Sequence, residues 1–361
     1  MGGSLRGRNA FKGRGALSNP AGRFEKSDVE AVSDGWYEEE LPQTIATTVT
    51  PDHAKRVITT NDSPDIGFDY SINPYRGCEH GCIYCYARPS HAYMGLSAGI
   101  DFETKLFYKD NAGKTLEQEL AKPGYVPKPI MLGANTDPYQ PIERDLRVTR
   151  SVLEVLARTR HPVSITTKSS LVLRDLDLLA DMATDGLATV SISITTLSAD
   201  TKRTLEPRTA SPQARLRALR ELNAAGVPSG VMVAPVIPAI TDHEMESILE
   251  EAAAAGAEWA GYVLLRLPYE VKDLFRDWLD EHFPDRAARV MSLINEMRGG
   301  RDNDPNFGSR MKGTGPVAEL IRNRFNIACK RLALGHLRRA TQQPTTLFRP
   351  PVPESPQMGL F

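Results

Sequence analysis

Three of the four cysteines, Cys78, Cys82 and Cys85, fall within one eight-residue window in C-x3-C-x2-C spacing, and Cys329 lies far downstream. Such clustering is not a disulfide framework. Three thiolates on one loop can hold three irons of a cubane cluster and leave the fourth open to an outside ligand; an electron-transfer ferredoxin closes that position with a fourth Cys. An open iron suits catalysis. Gly77 and Gly81, beside and between these cysteines, allow the tight turns a cluster-wrapping loop needs. The competing reading is a closed zinc site of three Cys and one His, completed by His80 or His91. Cys329, on an apolar helical face of residues 321–334, reads as a small hydrophobe rather than a distant fourth ligand.

The elements around this loop are legible from periodicity. Short β-branched runs at Phe68–Ile72, Pro129–Leu132, Val163–Thr167, Leu187–Ile194, Gly230–Val236 and Trp259–Leu265 read as six strands. Arg144–Thr159, Ser211–Ala225 and Asp242–Ala255 carry apolar residues at helical spacing, with Thr241-Asp242 as a cap and Gly226 and Gly256 as stops. Repeated βα units demand a parallel sheet with right-handed crossovers. After Leu267 the pattern turns helical, from Tyr269 through Arg298 and from Pro316 to Leu334, so two further βα units are missing. The fold class is α/β, a partial (β/α)6 TIM-like barrel over residues 65–300 with a helical C-terminal extension over 301–340. In such a sheet ligands bind at the C-terminal ends of the strands.

The chain has 361 residues, 44 Lys+Arg against 45 Asp+Glu, 41% hydrophobic and 25% charged residues, which is a soluble globular composition. Near-neutral charge excludes a polybasic whole-protein mode of nucleic-acid binding but not a local basic groove. The apolar run Val231–Ile240 is about half a bilayer span and holds Pro235 and Pro238. With no secretory or lipidation signal after Met1, a cytoplasmic location is expected. Residues 1–45, with scattered Arg and Lys among glycines and then an acidic run, read as a disordered tail. Residues 341–361 form a second tail, whose Pro-rich part, Gln342–Pro356, favours an extended, semi-rigid linker.

The cysteine loop resembles that of the radical S-adenosylmethionine superfamily. The run Asn73-Pro-Tyr-Arg-Gly-Cys78-Glu-His-Gly-Cys82-Ile-Tyr84-Cys85-Tyr86-Ala-Arg88 looks like the spore photoproduct lyase-like branch, also called DNA repair photolyase-like. The resemblance covers roughly Asp69 to Phe325. It implies a 4Fe-4S cluster whose unique iron takes the amino and carboxylate groups of S-adenosylmethionine. It also implies cofactor cleavage to a 5′-deoxyadenosyl radical that abstracts hydrogen from the substrate, with a ferredoxin or flavodoxin as electron donor. Residue by residue, it places Tyr84 beside the cofactor and Thr136 and Asp137 at its amino group. Lys168 falls at its carboxylate, Ser193 at its ribose, Ala234 in the apolar adenine shelf, and Tyr86 at the radical-relay tyrosine.

One departure stands out. Spore photoproduct lyases carry a hydrogen-donating Cys three residues before the Asp matched by Asp137, and here that position is Ala134. A different substrate or quenching route is expected. The segment Arg310–Pro316 reads either as a basic Gly-rich phosphate contact or as a helix-entry turn. The last five residues, Gln357-Met358-Gly359-Leu360-Phe361, resemble the peptide with which bacterial proteins bind the replication sliding clamp. Together these readings favour an enzyme acting on DNA in lesion repair. The alternatives are radical modification of RNA or protein, and a non-catalytic iron-sulfur or zinc protein with a sensing or structural role.

Overall fold

The computed structural model describes residues 11–24, 44–336 and 342–351. Its main sheet contains six parallel strands in sequential order: β1 (Tyr70–Ile72), β2 (Ile130–Leu132), β3 (Val163–Thr167), β4 (Ala188–Ser193), β5 (Ser229–Val236) and β6 (Trp259–Leu264). Ile58–Thr60 pairs antiparallel with β1 at one edge, and Gly335–His336 pairs with β6 at the other. The sheet is therefore open, a six-stranded partial barrel as the strand count predicts. Helices fill the crossovers: α1 (Ala112–Leu120), α2 (Val148–Arg158), α3 (Leu176–Thr184), α4 (Pro212–Ala224) and α5 (Met245–Ala254). Then come α6 (Val271–His282), α7 (Pro284–Met297) and α8 (Gly315–Arg331). A separate small sheet joins Thr48–Pro51, Lys105–Tyr108 and Tyr75–Arg76.

The strands are buried on both faces, every residue of β4 included, as a parallel sheet covered by helices requires. The helices bury apolar stripes against it; α2 buries Val148, Val152, Leu153, Val155 and Leu156. Helix α4 starts as its sequence dictates, with the Ser211 hydroxyl accepting from the Ala214 N–H and Pro212 in the first turn, and Gly226 follows it at φ +76°.

Several boundaries differ from expectation. The stretch read as one helix over Arg144–Thr159 breaks at Arg147, whose φ is +52°. The buried Glu143 carboxylate turns back there to accept from the Thr149 and Arg150 N–H groups, capping α2. The Thr241 hydroxyl accepts from the Ile237 N–H instead of capping, and α5 begins after a short 3-10 turn at Asp242–Glu244. Proline at the first position of α7 divides the helical run Tyr269–Arg298.

Both tails need correction where they are described. Residues 11–24 are not a free tail: Arg14, Gly15 and Ala16 are buried against the cysteine loop. Residues 342–351 are extended but docked. Gln343 Nε2 donates to Val163 O, Ser164 Oγ and Thr189 Oγ1, across the N-terminal ends of β3 and β4, and Phe348 packs on His161 and Tyr125. The remaining residues of both expected tails, Gln357–Phe361 among them, lie outside the described residues. Among the described residues no helix is long and apolar enough to cross a membrane.

Candidate active site

The cysteine loop leaves β1 and folds as successive tight turns. Gly81 N–H donates to Cys78 O at 3.4 Å, Cys85 N–H to Cys82 O at 3.2 Å and Arg88 N–H to Cys85 O at 3.2 Å. Gly77 and Gly81 take φ values of +75° and +67°, and a Cβ on Gly77 would come within 2.6 Å of Leu106. Only glycine meets both the backbone and the space requirement. Latches fix the loop from outside. Cys78 N–H donates to Phe102 O, Glu79 N–H to Gln140 Oε1, and Gln140 Nε2 to Gly77 O. The buried Arg88 guanidinium bonds Cys82 O, Ala98 O and Gly99 O and pairs with the buried Glu103 carboxylate. Glu103 also accepts from the Gly15 and Ala16 N–H groups, while Arg14 bonds Glu103 O and Ile45 O. A Cβ on Gly15 would overlap the Gly81 carbonyl, so the N-terminal segment lies directly on the cysteine loop.

Cys78 and Cys82 are buried and Cys85 is partly exposed. Burial pushes the Cys78 thiol well up; Asp137 and the other two cysteines push it further, against a hydrogen bond from the Asp137 N–H. Burial raises Cys82 and Cys85 in the same way, and Lys168 opposes the rise at both. The three sulfurs thus share one electrostatic neighbourhood, in which metal binding displaces protons. Yet among the described residues no three His, Cys, Asp or Glu side chains form a set that one metal ion could take. His80 Nδ1 lies 3.4 Å from Asp137 Oδ2, and His91 Nε2 is 3.0 Å from Lys105 O with its ring packed on Phe102. Among the described residues neither histidine joins the cysteines in a set for one ion, which leaves three thiols on one loop as the donor set. Cys329 stays on α8, half-buried against the main core, its thiol pushed up to about 11 by burial.

The strand ends bring Lys168, Ser193 and Ala234 together. Lys168 Nζ donates to Ser193 Oγ at 2.9 Å and to Ala234 O at 3.4 Å, and sits 5.9 Å from the Tyr84 ring centre. Beneath them is a buried ion pair absent from the sequence reading, Glu206 with Arg215. Glu206 also accepts from the Tyr84 and Thr195 hydroxyls, and Arg215 Nη1 holds Ser193 O at 2.9 Å. Burial pushes the Glu206 carboxyl up, but Arg215, Lys168 and these hydrogen bonds outweigh it and hold it at about 2. The one available sequence signal was Arg215 itself, a charge on the apolar face of α4.

Thr136 and Asp137 sit on the loop after β2, where expected, but with their side chains engaged. The Thr136 hydroxyl donates to Tyr75 O. Asp137 accepts from Thr167 Oγ1 at 2.6 Å, Lys168 N–H at 2.7 Å and Tyr139 N–H at 2.9 Å. Burial raises its pKa, yet His80 and these bonds hold it at about 2. Asp137 therefore ties the loop after β2 to the end of β3. Tyr86 is half-exposed, and its hydroxyl donates to Ala134 O, the very position of the missing cysteine. Burial pushes the phenol up to about 12. Arg266, just past β6, lies 5.8 Å from the Tyr86 ring centre. Arg310 is committed to Asp65 and Ser63, and Gly313 is packed on Leu264, Met297 and Ala318, so the 310–316 segment serves as the helix-entry turn.

The family model described as "Radical SAM superfamily" matches residues 72–252, from the end of β1 into α5. An uncharacterized protein of Mycobacterium tuberculosis is 37% identical over 228 residues, covering 63% of this chain and 67% of its own length. Spore photoproduct lyase complexed with dinucleoside spore photoproduct has a similar fold, with a TM-score of 0.57 at 16% identity over 80% of each chain. A variant of that lyase with bound AdoMet and the same dinucleoside matches at 0.55 and 17%, again over 80% of each chain. With the cysteine loop, the partial barrel and the family match in agreement, the chain belongs to the radical SAM superfamily of enzymes.

Proposed function

We propose that this enzyme holds a 4Fe-4S cluster on Cys78, Cys82 and Cys85, binds S-adenosylmethionine against it, and acts on DNA in lesion repair. The superfamily as a whole uses that cofactor and that cluster. The observation that carries the reading is the Lys168–Ser193–Ala234 cluster, whose ammonium favours the charged forms of the Cys82 and Cys85 thiols and of Glu206 alike. When bound, cluster and cofactor supply one-electron cleavage of S-adenosylmethionine to methionine and a 5′-deoxyadenosyl radical.

The chain's own residues do the rest. Lys168 attracts the cofactor carboxylate, and Ser193, held by Arg215, presents its hydroxyl to the ribose. Glu206 and Arg215 keep Tyr84 and the Ser193 backbone fixed without adding net charge. Tyr86, the residue matched to the radical-relay tyrosine, spans from the cysteine loop to Ala134. Because Ala134 has no thiol, the hydrogen that quenches the product radical comes from another donor, which separates this reaction from that of a lyase relying on a cysteine there. DNA is favoured because the fold is shared with a lyase whose bound molecule is a dinucleoside photoproduct. The clamp-like peptide Gln357–Phe361 points the same way. The test is anaerobic turnover with ultraviolet-damaged duplex, damaged single strands, RNA and no substrate. Stimulation of 5′-deoxyadenosine formation by damaged DNA, with loss of the lesion by mass spectrometry, is expected; stimulation by RNA alone would overturn the DNA assignment.

A further inference from the structure

The open end of the barrel carries large apolar rings that no core needs. Phe24, Tyr93 and Tyr269 are 58%, 76% and 68% exposed, and Tyr86 is 48% exposed. They are organised rather than scattered. The Arg23 guanidinium carbon lies 5.1 Å from the Phe24 ring centre, 5.4 Å from Tyr93 and 4.2 Å from Tyr269, and the Phe24 and Tyr93 rings are 5.4 Å apart. Arg23 is anchored by Glu270 and by Pro89 O, three residues beyond Tyr86. Three residues before Tyr269, Arg266 faces the Tyr86 ring, its Nη1 reaches the Met311 sulfur, and its Nε is buried without a hydrogen-bond partner. The band thus runs from the N-terminal segment, past the end of β6, to the mouth above the cysteine loop.

Clustered exposed apolar surface marks a binding site, and its chemistry selects the occupant. An aliphatic groove would suit a helical peptide. Aromatic faces interleaved with guanidinium groups suit nucleobases, which stack on both, and phosphates, which take the charge. Chemistry on a base inside a barrel also requires that base to leave the duplex stack, so its neighbours need a new surface to stack on. We propose that Tyr93, Tyr269 and Phe24, ordered by Arg23, form a stacking platform for the bases of single-stranded DNA flanking the nucleotide in the active site, with Arg266 at its inner end taking a phosphate. This rests on the reading that the substrate is DNA.

The test is anaerobic anisotropy binding without turnover. The probes are a labelled oligothymidylate, an abasic deoxyribose-phosphate strand of equal length, an RNA and an unfolded acidic peptide. For Tyr93→Ala/Tyr269→Ala, oligothymidylate binding is expected to weaken about tenfold or more, with little change for the abasic strand. Tyr93→Phe/Tyr269→Phe keeps the ring faces and retains binding, and matched melting curves show that both variants are folded. Undiminished oligothymidylate binding in the double alanine variant overturns the platform while leaving the DNA reading intact. Wild-type protein that binds no DNA overturns both, and preference for RNA or for the peptide overturns the assigned occupant.

Discussion

Lys168 and Glu206 carry the opposite charges that organise the site, and each supports a prediction. Lys168→Ala removes the cation that Ser193 and Ala234 orient. A charge-assisted hydrogen bond contributes about 1.5–3 kcal/mol, so S-adenosylmethionine affinity is expected to fall about 10- to 100-fold by calorimetry while cluster absorbance persists. Unchanged affinity would remove Lys168 from the cofactor site. Glu206→Gln leaves the buried Arg215 guanidinium without its counter-charge. Breaking one side of a buried pair costs about 3–5 kcal/mol; denaturant unfolding that moves by less than 1 kcal/mol would show the pair to be dispensable. The cysteine loop was legible because three thiols fall within eight residues of one segment. Glu206 was not, because it closes a two-turn helix, Ala199–Leu205, between β4 and α4, and its partners Tyr84, Thr195 and Arg215 meet only in the fold. Thr136 and Asp137 show the converse: their position was readable, but not that Tyr75, Thr167 and Lys168 occupy their polar atoms.

Among elements, all six strands were readable since each is a short β-branched run between turn residues, and α2, α4, α5 and the helical runs after Leu267 since their apolar residues recur at helical spacing, whereas α1 and α3 were not singled out. What misled was local chemistry overridden at a distance. Glu143 opens the short helix Glu143–Leu146 and its carboxylate reaches past the Arg147 break to cap α2, because Tyr75 and Arg174 hold it buried. The N-terminal segment looked like a tail because its contacts are with Glu103 and Gly81, far along the chain. The close approach there gives a prediction. Gly15→Ala cannot be accommodated against the Gly81 carbonyl, whereas Gly13→Ala meets open space and suffers backbone strain alone, at φ +77°. Trypsin cleavage after Arg14 is therefore expected to be slow in the wild type and in Gly13→Ala, and several-fold faster in Gly15→Ala. Equal cleavage of all three would mean that the segment does not lie on the cysteine loop.

At the scale of the molecule, ionisable groups link stability to pH in two windows. His161 is buried against Tyr125 and Phe348, and burial outweighs the Pro162 carbonyl to hold its pKa at about 4. A histidine depressed below its unfolded value of about 6.5 stabilises the fold above that pH and loses this contribution as pH falls toward 4. Asp137 and Glu206, held at about 2, contribute above their unfolded values and lose that contribution as pH drops from about 4.5 to 2. Unfolding free energy is thus expected to decline from about pH 6.5 downward and more steeply below about 4.5. His161→Gln should flatten the upper window, and an unaltered slope there would contradict the assignment.

The account turns on the three cysteines serving a catalytic cluster beside a bound cofactor. The direct measurement is 5′-deoxyadenosine formed anaerobically from S-adenosylmethionine and dithionite by the reconstituted wild-type protein and by Cys82→Ala. The account predicts formation by the wild type and loss of both cluster absorbance and product in Cys82→Ala. No product from wild-type protein holding an intact, reducible cluster, or equal product from Cys82→Ala, would contradict it.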